Sequence, residues 1–194
     1  MEQLAPRVVV AEDESIIRMD LVESLRELGF IVLGEAGDGE TALALIRGLL
    51  PDVALLDIQM PGLDGLEVAR QVMDEMLCAV VMVTAFSQEA LVSRAAQAGA
   101  MGYLVKPIRP GELQPAITVA RAGFAREQAL RARVVTLEEQ LATRKVVERA
   151  KSLLQQRLGI DEGAAFRWLQ RTAMDQRTTM REVATRLLAS GAEN

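Results

Sequence analysis

The sequence predicts an α/β domain built on a doubly wound, five-stranded parallel sheet, followed by a long helix and a small three-helix all-α domain. Three observations lead there. Strand-length apolar runs alternate with helical patterns five times within the first 120 residues, the pattern of a parallel sheet covered on both faces. From about residue 111 the pattern turns helical and stays so. Charge also divides the chain: residues 1–120 carry 18 Asp+Glu against 8 Lys+Arg, and residues 121–194 carry 9 against 14, a net −10 and +5. These observations place an α/β domain at 1–120, a helical linker at 121–142 and the helical domain at 143–194.

The predicted strands are 7–11, 31–35, 53–57, 80–84 and 101–105, rich in Val, Ile and Leu as buried parallel strands are. The helical patterns between them cover 16–28, 40–49, 63–76 and 88–98. Gly29 and Gly99 follow the first and fourth helices, where a left-handed residue ends a helix, and Pro51 follows the second. In the second half, Leu130, Val134, Leu137 and Leu141 are spaced 4, 3 and 4, the start of a heptad seam on a helix predicted over 111–142. Three short amphipathic helices come next. The first buries Val146, Val147, Ala150, Leu153, Leu154 and Leu158. The second is capped by Asp161 and buries Ala165, Trp168, Leu169 and Ala173. The third is capped by Thr178 or Thr179 and buries Met180, Val183, Ala184, Leu187 and Leu188.

Half of the 194 residues are hydrophobic, enough for a sizeable core. Histidine is absent, which excludes a Ser–His–Asp triad, a histidine base, His-ligated zinc and an internal phosphohistidine. One cysteine, Cys78, excludes an internal disulfide and a Cys-rich metal centre. The start, MEQLAPRVVV, reads as lacking a signal segment, and no run approaches the roughly 18 apolar residues of a membrane span. The expectation is a cytoplasmic protein without membrane contact.

In an open parallel sheet, sites form at the carboxyl ends of the strands. There the sequence puts Glu12 and Asp13 after the first strand, Asp57 at the end of the third, Thr84 at the end of the fourth and Lys106 after the fifth. Converging carboxylates repel unless a cation neutralises them. An all-oxygen donor set points to Mg²⁺ rather than zinc.

Four motifs, V-V-V-A-E-D-E, L-L-D-I-Q-M-P-G-L-D-G, V-T-A and G-Y-L-V-K-P, occur in that order. Together they resemble the receiver domain of two-component response regulators, whose fold is flavodoxin-like. The resemblance covers about 6–120 and implies phosphoryl transfer from the phosphohistidine of a sensor histidine kinase to Asp57. It further implies Mg²⁺ held by Glu12, Asp13, Asp57 and the backbone carbonyl of Gln59, with Lys106 as a second positive charge and Thr84 as a hydroxyl donor. Pro61, Gly62 and Gly65 would shape the turn after the third strand. A cis bond before Pro107 would aim Lys106 into the site. Tyr103 matches the aromatic that turns inward when the switching hydroxyl of Thr84 moves. Glu12 replaces the commoner Asp, lengthening one ligand arm without changing its charge.

On the first tail helix, at 100° per residue from Arg144, the apolar set spans about 180° to 320°. Arg144, Lys145, Arg149 and Lys151 read as the opposite, basic face, interrupted by Glu148. The tail R-K-V-V-E-R-A-K-S-L-L-Q … A-F-R-W-L-Q … R-T-T-M-R-E-V-A resembles the ANTAR domain, an RNA-binding module of transcription antiterminators. That resemblance implies binding to stem-loops in nascent transcripts, through these four basic residues, by a phosphorylation-dependent homodimer. Phe166 and Trp168 are expected in the core, leaving recognition to arginines, loop shape and phosphates. Two other readings stay open: a DNA-binding response regulator, and a protein-interaction adaptor without nucleic acid. The tail offers no catalytic cluster, so no enzyme is expected.

Overall fold

The computed structural model describes residues 5–85 and 89–190. Two compact units divide at residue 129. In the first, strands and helices alternate: β1 (Arg7–Ala11), α1 (Ser15–Glu27), β2 (Ile31–Ala36), α2 (Gly39–Leu49), β3 (Val53–Asp57), α3 (Gly65–Asp74), β4 (Ala79–Thr84), α4 (Glu89–Gln97) and β5 (Gly102–Val105), closing with the start of α5 (Pro110–Leu158). The sheet is parallel in the order β2-β1-β3-β4-β5. The expected start of the fourth helix at Gln88 lies outside the described residues.

Val8, Val9 and Val10 on β1, Ala54 to Leu56 on β3 and Val80 to Met82 on β4 are wholly buried. Helices therefore cover both faces of the central strands, and the apolar β-branched runs are what such strands require. Asp38 caps α2 by accepting from Thr41 N at 2.8 Å, and Asp64 caps α3 by accepting from Glu67 N at 2.8 Å. Gly29 ends α1 with φ +84°, a conformation that costs glycine nothing. Register decides where the strands stop. Ala11 lies beside Leu56, Asp57 beside Val83 and Thr84 beside Val105. Residues just past β1, β3, β4 and β5 therefore gather at one edge of the sheet.

The second unit holds the rest of α5 with α6 (Glu162–Asp175) and α7 (Met180–Ser190). The break expected near residue 142 is absent: α5 runs through to Leu158, and Gly159 follows with φ +65°. Nothing in residues 139–146 (EQLATRKV) interrupts a helix, since it contains neither Pro nor Gly. Asp161 caps α6 by accepting from Ala164 N at 2.7 Å, and Thr179 Oγ1 accepts from Glu182 N at 3.2 Å at the start of α7. The core comprises Val147, Ala150, Leu154, Ala165, Leu169, Ala173, Val183 and Ala184. Half of these are alanines, so the helices approach closely and large rings fall on the flanks. Phe166 and Trp168 are accordingly each 40% exposed, contrary to the core positions expected of them. No helix of the described residues is long and apolar enough to cross a membrane.

Candidate functional site

The sheet edge brings together five of the residues expected there. Glu12, Asp13 and Asp57 each offer a carboxylate oxygen, all within 4.8 Å of one another. Glu12 and Asp57 are buried while Asp13 is exposed. Lys106 reaches across from the end of β5, its Nζ 2.6 Å from Glu12 Oε2 and 2.7 Å from Asp57 Oδ2. The peptide bond between Lys106 and Pro107 is cis, and Lys106 N donates to Thr84 O at 2.7 Å. Thr84 is buried at the end of β4; Tyr103 is half-buried on β5.

The turn after β3 is fixed by close packing. A Cβ on Gly65 would stand 1.8 Å from the carbonyl oxygen of Asp57, so only glycine lets α3 begin so near the strand end. Gly65 N donates to Ile58 O at 3.0 Å, and Gln59 N donates to Asp57 Oδ1 at 3.3 Å, steadying the carboxylate. Gly62 has φ +71° beside the Glu40 carboxylate, whose Oε2 accepts from Leu63 N at 3.2 Å.

Electrostatically the site is under-neutralised. Burial pushes the Glu12 carboxyl above its ordinary value; the Lys106 hydrogen bond works against this and the charge on Asp57 works with it. Burial opposes the charge on Lys106, yet its bonds to Asp57 and Glu12 outweigh that and hold the ammonium above its usual value. Three carboxylates face one lysine, and Glu12 Oε2, fully enclosed, has that ion contact but no well-directed hydrogen bond. Surplus negative charge on hard oxygen donors fits a small divalent cation.

Two arginines carry no signal in the sequence that would place them here. Arg18 Nη1 donates to Glu12 O at 2.5 Å, tying α1 to the end of β1. Arg94 on α4 joins Asp13, Gln59, Asp64 and Leu91 around a cavity of about 750 Å³ beside the carboxylates. Arg18 lies six residues beyond Glu12, a spacing without a motif, and Arg94 is brought there only by the packing of α4.

In the second unit Arg144, Lys145 and Arg149 are exposed as expected. Lys151 is not: it is buried, with Nζ 2.9 Å from Glu148 Oε1 and 2.6 Å from Glu162 Oε1. Its helical angle explains the departure. At about 340° from Arg144 it stands only some 20° beyond the edge of the apolar arc, and Glu162 at the start of α6 meets it there.

Comparison with known proteins matches both halves. The response regulator receiver domain matches residues 8–118 and the ANTAR domain residues 135–188. The transcriptional regulatory protein PdtaR of Mycobacterium tuberculosis (strain ATCC 25618 / H37Rv) is 51% identical over 178 residues, 92% of this chain and 87% of that one. The solved receiver domain of NarL from Mycobacterium tuberculosis superposes with a TM-score of 0.60 at 41% identity, covering 62% of this chain and 99% of that domain. CheY in the CheX–CheY–BeF₃–Mg²⁺ complex of Borrelia burgdorferi gives a TM-score of 0.55 at 26% identity, covering 57% of this chain and 85% of that one.

Proposed function

We propose that this chain, which belongs to the response regulators and joins a receiver domain to an ANTAR domain, accepts a phosphoryl group on Asp57 from a sensor histidine kinase and then binds stem-loop RNA to control transcription by antitermination. The observation that carries the reading is the sheet-edge cluster of Glu12, Asp13, Asp57 and Lys106, in a chain that ends in an RNA-binding family. That residues 135–188 match the ANTAR domain favours RNA over duplex DNA as the target.

In the proposed reaction an oxygen of the Asp57 carboxylate attacks phosphorus. The phosphorus–nitrogen bond to the kinase imidazole breaks, and the imidazole leaves and recovers a proton. Glu12, Asp13, Asp57 and the Gln59 carbonyl would hold Mg²⁺, which supplies positive charge against the transferring phosphoryl oxygens. Mg²⁺ and BeF₃ in the CheX–CheY complex concern those proteins, and their presence beside a chain of the same fold supports Mg²⁺ as the cation here. Lys106 passes from the carboxylates to a phosphoryl oxygen, and the Thr84 hydroxyl donates to another. Tyr103 follows Thr84 inward, a two-state shift driven by charge-assisted bonds. Arg144, Lys145 and Arg149 meet RNA phosphates. Lys151, which the basic face of the sequence would make a fourth RNA contact, is assigned instead to holding α6 against α5, because both its partners are carboxylates of the same unit.

The test is a gel shift with a tandem stem-loop RNA, with and without acetyl phosphate and Mg²⁺. Phosphodonor should tighten RNA binding by the parent and leave Asp57→Asn unchanged. Tighter binding of duplex DNA than of RNA, or an Asp57→Asn chain that still gains hydroxylamine-labile phosphate, would overturn the reading.

A further inference from the structure

We infer that a groove in the second unit is a pocket for one unpaired nucleobase of an RNA loop; the inference rests on the RNA-binding reading above and assigns base contacts within it. The groove, about 500 Å³, opens where α5 faces the start of α6 and of α7, and Phe166, Arg144, Arg181, Glu139, Glu148 and Met180 line it. Its volume falls within the roughly 300–1,000 Å³ of small-ligand sites.

Three features select a base. Phe166 stands 40% exposed, outside a core half of whose residues are alanines, and an exposed ring in a groove is a stacking surface for any base. Arg144 and Arg181 flank it, and among the described residues neither forms an ion pair. They suit the phosphates on either side of a splayed nucleotide. Glu139 and Glu148, both exposed, line the groove with carboxylates that disfavour a phosphate there; Glu139 and the Glu148 oxygen not held by Lys151 are good acceptors for an exocyclic amino group, as carboxylates are toward the amino group of cytosine. The pocket therefore prefers an amino-bearing base to uracil.

The test uses the full chain with acetyl phosphate and Mg²⁺, and a hairpin RNA with a randomised loop, enriched on the parent protein. Phe166→Leu should weaken binding of the enriched RNA about tenfold or more while leaving the salt slope unchanged, because it removes a stacking surface and no cation; Phe166→Tyr should stay near the parent. Trp168→Leu, an equally exposed ring outside the groove, should bind as the parent does. One loop position should exist where an abasic nucleotide weakens the parent but not Phe166→Leu. Parent-like binding by Phe166→Leu, together with weakened binding by Lys145→Ala/Arg149→Ala, overturns the pocket and leaves RNA binding standing. Failure of the parent to enrich any hairpin overturns both.

Discussion

Lys106 places one ammonium between two carboxylates, 2.6 Å from Glu12 and 2.7 Å from Asp57. It occupies the side of the cluster that a divalent cation would otherwise neutralise, so lysine and cation act on the same oxygens with the same sign. Asp13 sits on the exposed side, away from that ammonium. The two residues should therefore separate by substitution. Asp13→Ala should lower Mg²⁺ affinity at least about tenfold, since removing even an outer-shell partner costs that much, and should slow phosphoryl uptake. Lys106→Ala should leave Mg²⁺ affinity unchanged or higher, yet break the link between phosphorylation and RNA binding. Titration of Mg²⁺ by intrinsic fluorescence or calorimetry checks both; equal losses in the two variants would refute the division of roles. Cys78 lies apart from this cluster. It is fully buried, and burial pushes its thiol from 9.0 up to about 12. A neutral, enclosed thiol is unreactive, so iodoacetamide should label it only after denaturation. Between pH 9 and about 12 the unfolded chain gives up this proton while the folded chain keeps it. Stability should consequently fall as pH rises through that window, and Cys78→Ala should show a smaller fall in urea titrations.

On the helices of the second unit, the face a residue occupies decides whether it can meet RNA without disturbing the core. Lys145 and Arg149 lie at about 100° and 140° from Arg144, well away from the apolar arc. The double variant Lys145→Ala/Arg149→Ala should therefore keep its helicity by circular dichroism, weaken stem-loop binding, and flatten the dependence of log affinity on log salt by one to two units, roughly one for each phosphate no longer neutralised. Parent-like affinity would remove this face from the interface. The same angles show what the sequence made legible. β1 and β3 fall at the expected residues, and the other strands and the first-unit helices within two. Strand ends are marked by the change from branched apolar residues to Asp, Glu, Thr and Lys. The site was legible for the same reason: parallel register puts those ends side by side. The tail was less so. Lys151 sits at the border of the arc, where burial depends on whether a neighbour arrives, and Glu162 belongs to another helix. Phe166 and Trp168 are apolar and near the arc, but the alanines of three helices decide how close those helices come. An angle on one helix holds no information on that distance.

The proposed function requires that a modification in the acidic half of the molecule change binding by the basic half. Residues 1–120 carry net −10 and residues 121–194 net +5, so added negative charge at Asp57 cannot itself attract RNA. Recruitment of a second copy can. Leu130, Val134, Leu137 and Leu141 are each at least half exposed along α5, a seam long enough to pair two helices over two heptads but too short to hold them firmly without further contacts. Receiver phosphorylation is proposed to supply those contacts. Joining two weak modules on one transcript then gains about 10²-fold or more in avidity without any new protein–RNA contact. Leu137→Glu/Leu141→Glu should break the pairing by burying four like charges across the dimer seam, while leaving both folded units intact because these side chains face solvent. By sedimentation, the phosphorylated parent should be a dimer and the variant a monomer. Against RNA, the parent should prefer a tandem pair of stem-loops to a single one by about two orders of magnitude, and the variant should bind both with the parent's single-loop affinity. A variant that keeps the tandem preference, or a phosphorylated parent that stays monomeric, would show that avidity is not how phosphorylation reaches the RNA.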